Sequence, residues 1–413
     1  MNPRPFAVAL AAGVALTATT LSAQESLLPS VGWGLGWSAS AWHFTTALPQ
    51  SAGALADVAE FAIPFRVRSV FGRWSLDLSG AAVAGGAHFT AGAAQQALGA
   101  AGGQGDEGGD RATTIYGPTD LKLRMTGPLL GDNLLLTAGV NIPTGKVGLN
   151  TDETNTLQAI GAPALRMPIG AFGTGAGVTL GVIRAFQGDE WAFALGGSIE
   201  QRSEYAPIAL LLSTGKAETK VTPGTAAHIT LGFDRSLGEQ RLSALLVGDL
   251  FSKDKVRFDQ GGGAEGINDF TLGPQVTLTT RLDFAASHWR ESSLNFAART
   301  RGQFSDASGT AVAGSSGTYL EGSLGGVVGG PDGKGFIVAV DGRMHSGLKF
   351  TDSLMGTAVT AVGLTLGVET QRTRTSSRFV LSGQYGTFDT GKVSTTGFGV
   401  TIGMSVGARR EAR

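Results

Sequence analysis

The five histidines are the residues of this chain that could supply a catalytic base for a lipid-cleaving barrel enzyme. Such an enzyme holds a serine nucleophile within hydrogen-bond reach of the imidazole, and on a strand only residues i and i+2 share a face. His345 is followed directly by Ser346, which places the two side chains on opposite faces. The other histidines lie next to a serine or have threonine at i+2: Ser287-His288, His43 with Thr45, His88 with Thr90, and His228 with Thr230. We therefore predict that the protein is not an enzyme. A membrane-embedded lipid hydrolase is kept as the third hypothesis, after the two given at the end of this section.

Acidic clusters are the other candidates for chemistry, because Ca²⁺ takes several oxygen ligands. Asp152-Glu153 forms one cluster, and Asp106-Glu107 with Asp110 forms another. Both lie in expected loops, where solvated charge or bridging to lipopolysaccharide cations is the favoured interpretation. The chain has no cysteine, which excludes disulfides and thiolate metal sites. The Gly-Gly runs lack the strand before and the helix after that phosphate-binding loops have, so we predict no cofactor, metal or catalytic residue.

A larger set of charged residues alternates with large apolar ones, most clearly in Asp120-Leu121-Lys122-Leu123-Arg124-Met125-Thr126. A strand points successive side chains to opposite faces, so such a segment has one apolar face and one charged face. We predict that the charged faces line a hydrated interior. The candidate lumen-facing residues are Arg66, Arg68, Asp77, Asp120, Lys122, Arg124, Arg281, Asp283, Arg299, Arg301, Asp341 and Arg343.

The mixed signs of these side chains leave two roles open. Lys122, Arg124, Arg299 and Arg301 could bias a pore toward anions. Equally, such cations could form cross-strand ion pairs that brace the wall, with Asp120, Asp283 and Asp341 as their partners.

The elements that position these residues are strands of period two, which recur from about residue 58 to nearly the last residue. We predict an all-β, antiparallel, up-and-down transmembrane barrel of about 16–18 strands, with 18 as the best estimate. Residues 157–168 and 206–213 are included as strands. A closed sheet satisfies every backbone amide in lipid, whereas the alternative, a soluble β-sandwich, would present charged faces over a very large soluble surface.

The N-terminus has the pattern of a secretion signal. A basic start is followed by an apolar run from Phe6 to about Leu21 and by small residues ending at Ala23. We predict that residues 1–23 are a cleaved signal peptide and that residues 24–413 form one barrel domain. The net charge of −1 provides no field that would attract nucleic acid. The predicted location is the outer membrane of a Gram-negative bacterium, with outer-membrane lipid, lipopolysaccharide and the barrel-assembly machinery as partners.

Short turns alternate with long polar, glycine-rich links, as in barrels with short periplasmic turns and long extracellular loops. The segment 85–114 is long and rich in small residues, and we predict that it folds inward as a plug or constriction. Deletion of residues 92–109 is then expected to raise conductance, and an unchanged single-channel current would contradict this prediction.

Two segments resemble a known family. Gly139-Val140-Asn141-Ile142-Pro143-Thr144-Gly145-Lys146, followed by a polar loop and a new strand at Leu157, is similar to a segment of outer-membrane transporters of aromatic hydrocarbon catabolism, the phenol meta-pathway group. Phe61-Ala62-Ile63-Pro64-Phe65, a tight turn and Trp74-Ser75-Leu76-Asp77-Leu78 look similar too. The resemblance covers about a quarter of the mature chain. It implies a barrel that passes small hydrophobic or aromatic molecules, and it assigns no binding residues.

We therefore predict an outer-membrane channel or transporter for passive uptake or efflux of small solutes, hydrophobic or aromatic ones included. A barrel of this size leaves an aqueous passage unless a loop fills it. The alternative is a structural or surface-interaction barrel without a conducting path.

Overall fold

The computed structural model describes residues 32–50, 53–90, 110–130, 133–212, 215–259, 265–329, 333–349, 354–372 and 374–408. Within these ranges the chain forms a closed antiparallel barrel of 16 strands, in which the first strand pairs with both the second and the last. The predicted fold class is therefore confirmed. The predicted signal peptide lies outside the described residues. No helix in the described part of the chain is long and apolar enough to cross a bilayer.

In chain order, the strands are β1 (Trp33–Gln50), β2 (Gly53–Phe71), β3 (Trp74–Thr90), β4 (Arg111–Pro118), β5 (Leu121–Leu130), β6 (Leu134–Ile142), β7 (Gly177–Gln187), β8 (Trp191–Arg202), β9 (Tyr205–Leu212), β10 (Gly215–Thr222), β11 (Ala226–Leu237), β12 (Gln240–Phe251), β13 (Lys253–Asp259), β14 (Glu265–Thr271), β15 (Gln275–Asp283), β16 (Trp289–Arg301), β17 (Ser305–Asp306), β18 (Gly317–Val328), β19 (Lys334–His345), β20 (Ala358–Gln371), β21 (Thr375–Asp389) and β22 (Ser394–Ala408). Helix α1 spans Thr151–Ile160, and a 3₁₀ turn spans Leu354–Gly356.

The outer face of the wall is apolar. Leu180, Ile199 and Val362 are each more than half exposed, as are many other large side chains at alternate positions of the wall strands. Exposure of so much apolar surface is unfavourable in water but expected against lipid hydrocarbon. Glycine at positive φ forms two of the short hairpin links, Gly72 between β2 and β3 and Gly238 between β11 and β12. Glycine adopts this left-handed conformation without a steric penalty.

Two of the predicted strands are not part of the wall. The sequence predicts a strand at 157–168, but helix α1 covers the first part and an irregular segment follows. The helix begins with a capping box, in which the Asn150 side chain accepts from the Glu153 amide and the Glu153 side chain accepts from the Asn150 amide. These two bonds satisfy amides that a helix start otherwise leaves unpaired. The second strand, predicted at 206–213, is β9, and it belongs to a separate sheet. The wall accordingly has 16 strands rather than 18.

The wall is irregular between β3 and β6. Residues Ser75–Ser79 of β3 pair with β5, whereas residues Ala82–Phe89 pair with β4. Strands β4 and β5 thus form one long strand interrupted at Thr119 and Asp120. Because β6 and β7 pair only from Leu134 to Asn141, the chain leaves the wall at this height and re-enters it at Gly177.

A second sheet lies at the end of the barrel where the long connections are. It has five strands in the order β17, β14, β13, β10 and β9, and we call it the loop sheet. Its apolar cluster contains Tyr205, Val221, Val256 and Phe270, together with Leu348 from the β19–β20 connection. The loop sheet therefore has a small core of its own, apart from the barrel interior.

Asp254, on β13 of the loop sheet, makes the stability of this sheet sensitive to pH. Its carboxylate accepts from the Gly224 amide, and burial raises its pKa from 3.8 to about 6. A raised pKa means that the folded sheet favours the protonated acid. Its contribution to stability is thus complete below pH 3.8 and is lost as the pH rises through about 6. We expect amide hydrogen exchange in β10 and β13, corrected for intrinsic rates, to correspond to a loss of at most about 3 kcal/mol between pH 4 and 7.

Asp254→Asn is the matched control for this prediction, since the amide oxygen still accepts from Gly224 but does not titrate. An equally steep pH dependence in D254N would assign the effect to another group.

Candidate functional site

The interior of the barrel holds residues 143–176, which connect β6 to β7 and contain helix α1. We call them the inner segment. Its apolar side chains, among them Ile160, Leu165, Met167, Ile169 and Phe172, share one buried cluster with the wall. The wall contributes residues that alternate with the outward-facing ones: Trp42, Phe44, Val58, Val83, Phe89, Ile115, Val359 and Phe388. The inner segment thus covers the inner face of β1–β4, β20 and β21.

Three polar side chains from different strands hold the irregular part of the inner segment. Trp42 Nε1 donates to the Leu165 carbonyl at 3.1 Å, and the Ile169 amide donates to Glu60 Oε1 at 2.9 Å. Arg343 donates through Nη2 to the Ala164 carbonyl at 3.2 Å and through Nη1 to Gln384 Oε1 at 2.8 Å. These three wall side chains are at most 4% exposed. Buried backbone groups of a segment without regular structure need such partners.

Asp120 joins the interruption of the wall to both ends of the inner segment. Its Oδ1 accepts from the Gly145 amide at 2.8 Å, and its Oδ2 accepts from the Thr174 amide at 2.7 Å. Oδ2 also accepts from Asn141 Nδ2 at 2.9 Å. The Asp120 amide donates in turn to the Phe172 carbonyl. Asp120 therefore anchors the chain where it leaves and re-enters the wall.

The two described ends of the predicted plug, residues 85–114, are strands of the wall and do not fold into the interior. Residues up to Thr90 belong to β3, and residues from Arg111 to Thr114 belong to β4. Residues 91–109 lie outside the described residues, so an inward fold of that loop stays a prediction. In the described part of the chain, it is the inner segment that fills the interior. The capping-box residues Asn150 and Glu153 are the sequence signal that could have identified its helix.

A cavity of about 240 Å³ remains between the inner segment and the inner face of β15, β16, β18 and β19. We call it the upper cavity, because it is the one nearer the loop sheet. Its polar lining includes Gln275, Arg299, Arg301, Tyr319 and His345. Its apolar lining includes residues of the inner segment, among them Ile160, Pro163 and Met167, and Leu348 from the end near the loop sheet.

A lower cavity of about 350 Å³ follows along the same strands, with Ser243, Arg281, Asn295 and Ser323 in its lining. The two cavities share Arg166, Thr279, Ala297 and Glu321. Arg166 Nη1 lies 2.5 Å from Glu321 Oε1, so an ion pair stands between the cavities. Arg166 has a φ of 54°, a backbone conformation that non-glycine residues rarely adopt.

The other candidate lumen-facing residues form ion pairs, make hydrogen bonds or line a further cavity. Arg66 pairs with Asp77 at 2.6 Å, and Arg281 pairs with Asp283 at 2.7 Å. Arg68 lies within 3.4 Å of the Ser75 hydroxyl. Lys122 and Arg124 line a third cavity of about 130 Å³, beside Asp77 and Asp120. Asp341 lies on β19, two residues before Arg343 and opposite Gly363 of β20. The two roles considered for these charges, selection of anions and bracing of the wall, both stay predictions.

Four of the five histidines have a carboxylate or carbonyl partner in the structure. His43 and His88 contact Asp57, His228 contacts Asp249 at 2.7 Å, and His345 lies 3.4 Å from the Thr357 carbonyl. A serine hydrolase instead needs a hydroxyl within reach of the imidazole.

The acidic cluster Asp152-Glu153 is paired with basic side chains. Asp152 pairs with Arg111, and Glu153 pairs with Lys146. Among the described residues no group of histidine, aspartate and glutamate side chains could hold a metal ion. Asp106 and Glu107 lie outside the described residues.

Comparison with known proteins gives neither a matching family model nor a matching curated protein. Similar solved structures include the CymD monoaromatic hydrocarbon channel, with 8% identity, a TM-score of 0.40, and coverage of 96% of this chain and 93% of that one. A deltaS2 mutant of the TodX monoaromatic hydrocarbon channel has 9% identity, a TM-score of 0.43, and coverage of 92% and 90%. Pseudomonas aeruginosa OpdK with vanillate has 10% identity, a TM-score of 0.40, and coverage of 92% and 99%. The closed strand pairing of the wall, and not these similarities, establishes the barrel.

Proposed function

We propose that the protein is an outer-membrane channel for the passive passage of small solutes, hydrophobic or aromatic ones included. The observation that carries the proposal is the pair of cavities that follow one another along β15, β16 and β18 and meet at Arg166 and Glu321. A wall of this strand number encloses more space than its own side chains fill. The inner segment then narrows the passage on one side, and the ion pair forms its constriction.

The lining supports passage of solutes that are partly apolar. The upper cavity combines inner-segment side chains such as Ile160 and Met167 with polar groups on the facing wall. A site with an apolar body and a few convergent polar groups is typical of small-molecule recognition. The location in a Gram-negative outer membrane, the export signal and the assembly partners belong to this proposal. The apolar outer face supports the membrane location.

A structural or surface-interaction barrel is the second candidate function. The observation in its favour is the depth of the apolar cluster between the inner segment and the wall, in which Leu165 and Phe388 are at most 1% exposed. A segment packed in this way could close the barrel permanently.

Planar-bilayer conductance of the purified, refolded chain separates the two candidates. Heat-modifiable gel mobility serves as the control for folding. A channel narrowed by the inner segment is expected to give stable but small steps of current, and the ratio of anion to cation permeability measures the effect of the lumen charges. Stable insertion without any current would reject the channel and favour the structural barrel.

A further inference from the structure

The upper cavity contains two guanidinium groups, those of Arg299 and Arg301, for which the described part of the chain provides no ion-pair partner. Arg301 is 6% exposed, and its Nη2 donates to Gln275 Oε1 at 3.0 Å. Its Nε and Nη1 are buried and have no hydrogen-bond partner among the described residues, and neither does Nε of Arg299. Burial of an uncompensated charge or donor is costly, so a site of this kind needs an explanation.

The carboxylates near these arginines are already engaged. Asp249 is bonded to His228 at 2.7 Å and to Gln275 Nε2 at 3.0 Å. Glu321 pairs with Arg166 and accepts from the Tyr319 hydroxyl at 2.7 Å. Gln275 therefore donates to Asp249 and accepts from Arg301, which orients the guanidinium without neutralising it. The cavity keeps an excess of positive charge on the side of β16.

The strand register brings the two arginines to one place. Arg301 is paired with Gln275 of β15, and Arg299 is paired with Thr277 of β15 and Tyr319 of β18. Residues i and i+2 of a strand share a face, so both side chains project from β16 toward the same cavity. Guanidinium groups are suited to planar anions such as a carboxylate, to which they donate paired hydrogen bonds.

The opposite side of the cavity is apolar and of limited size. Ile160, Pro163 and Met167 of the inner segment lie there, with Leu348 at the end near the loop sheet. An apolar cavity of about 150 Å³ is enough for a benzene ring. The volume of about 240 Å³ accordingly admits a single ring that bears one small polar group.

We propose that the upper cavity binds a monocarboxylate with an apolar body of about one ring, whose carboxylate is held by Arg299 and Arg301. This inference rests on the proposed function, because it names the solute class that the channel selects. The carboxylate of the bound anion supplies a negative charge beside the two positively charged guanidinium groups. Its apolar body packs against the inner segment.

Isothermal titration calorimetry of the refolded full chain in detergent tests this proposal, with sodium benzoate, benzyl alcohol and sodium acetate at constant ionic strength. Benzyl alcohol keeps the ring without the charge, and acetate keeps the charge without the ring. We expect benzoate to bind at least roughly tenfold more tightly than either. Equal affinity for benzyl alcohol, equal affinity for acetate, or no binding of benzoate would overturn the proposal.

Single substitutions locate the site. Arg301→Gln and Arg299→Gln are each expected to weaken benzoate binding roughly tenfold or more and to leave benzyl alcohol binding unchanged. Arg66→Gln is the matched control, since it removes a wall arginine that pairs with Asp77 and does not line the upper cavity. A loss in R66Q as large as in R301Q would overturn the assignment. If R301Q does not fold, R299Q and Arg301→Lys carry the test, and R301K should lose part of the affinity.

Conductance of the same preparation distinguishes this inference from the proposed function. Current without benzoate binding would reject the carboxylate site and keep the channel. Benzoate binding without current would support the site and reject the channel.

Discussion

Excision of most of the inner segment should convert the barrel into a wide pore, with single-channel conductance increased roughly tenfold or more. The geometry provides the junction, because the Gly173 amide donates to the Lys146 carbonyl at 3.1 Å. Residues 147–172 can therefore be replaced by a two-residue turn without a change in β6 or β7. The expected result follows from removal of helix α1 and of the cluster that covers the inner face of β1–β4, β20 and β21. Planar-bilayer recording of the excised and full chains measures it.

The matched control is deletion of residues 92–109, the loop for which the sequence predicts a plug. Each deletion removes one candidate for the constriction and leaves the wall strands in place. If the inner segment alone narrows the lumen, the control keeps the conductance of the full chain. A large current after deletion of 92–109 together with a small one after excision of 147–172 would contradict the assignment, provided that both proteins show heat-modifiable mobility.

Arg343→Ala should release the irregular part of the inner segment from the wall. The substitution removes the donor to the Ala164 carbonyl and the bond to Gln384, and it removes the guanidinium that lies 5.3 Å from the Trp42 ring. Loss of a buried, charged hydrogen-bond donor costs about 2–3 kcal/mol, or roughly 30- to 150-fold in the opening equilibrium. Hydrogen exchange of the amides from Leu165 to Ile169 should accelerate by that factor, and current traces should show more frequent openings.

Trp42→Phe is the comparison for this prediction. It removes the hydrogen bond to the Leu165 carbonyl but keeps an aromatic ring beside Phe388. A neutral hydrogen bond contributes about 1 kcal/mol, so exchange should rise by a smaller factor than in R343A. Equal exchange in wild type and R343A would show that Glu60 and the apolar cluster hold the segment without Arg343.

The wall strands were predictable because the two faces of each strand meet different solvents. In β5, Leu121 and Leu123 alternate with Lys122 and Arg124, and a shift of one residue would exchange the apolar face for the charged one. The same local rule applied to every wall strand, including β22 at the end of the chain. Secondary structure that depends only on alternation and short turns can be read from neighbouring residues.

The inner segment was not predictable in the same way. Residues 157–168 are apolar enough to resemble a strand, and Asn150 with Glu153 was the only local indication of a helix start. The segment is apolar because it packs on the interior of the barrel. There the side chains of Trp42, Glu60 and Arg343 form hydrogen bonds with its backbone. These partners are more than 100 residues away along the chain, so a pattern of neighbouring residues cannot predict these contacts.

The sequence by itself determined a barrel with an apolar outside and a charged inside, since side-chain alternation along each strand decides both faces. It also identified Arg299 and Arg301 as inward candidates, without showing that no described carboxylate forms an ion pair with either of them. Only the tertiary structure decided which connection enters the barrel, where the cavities remain and which carboxylates are already engaged. Those properties depend on cross-strand register and on long-range packing, which join residues that are distant in the chain.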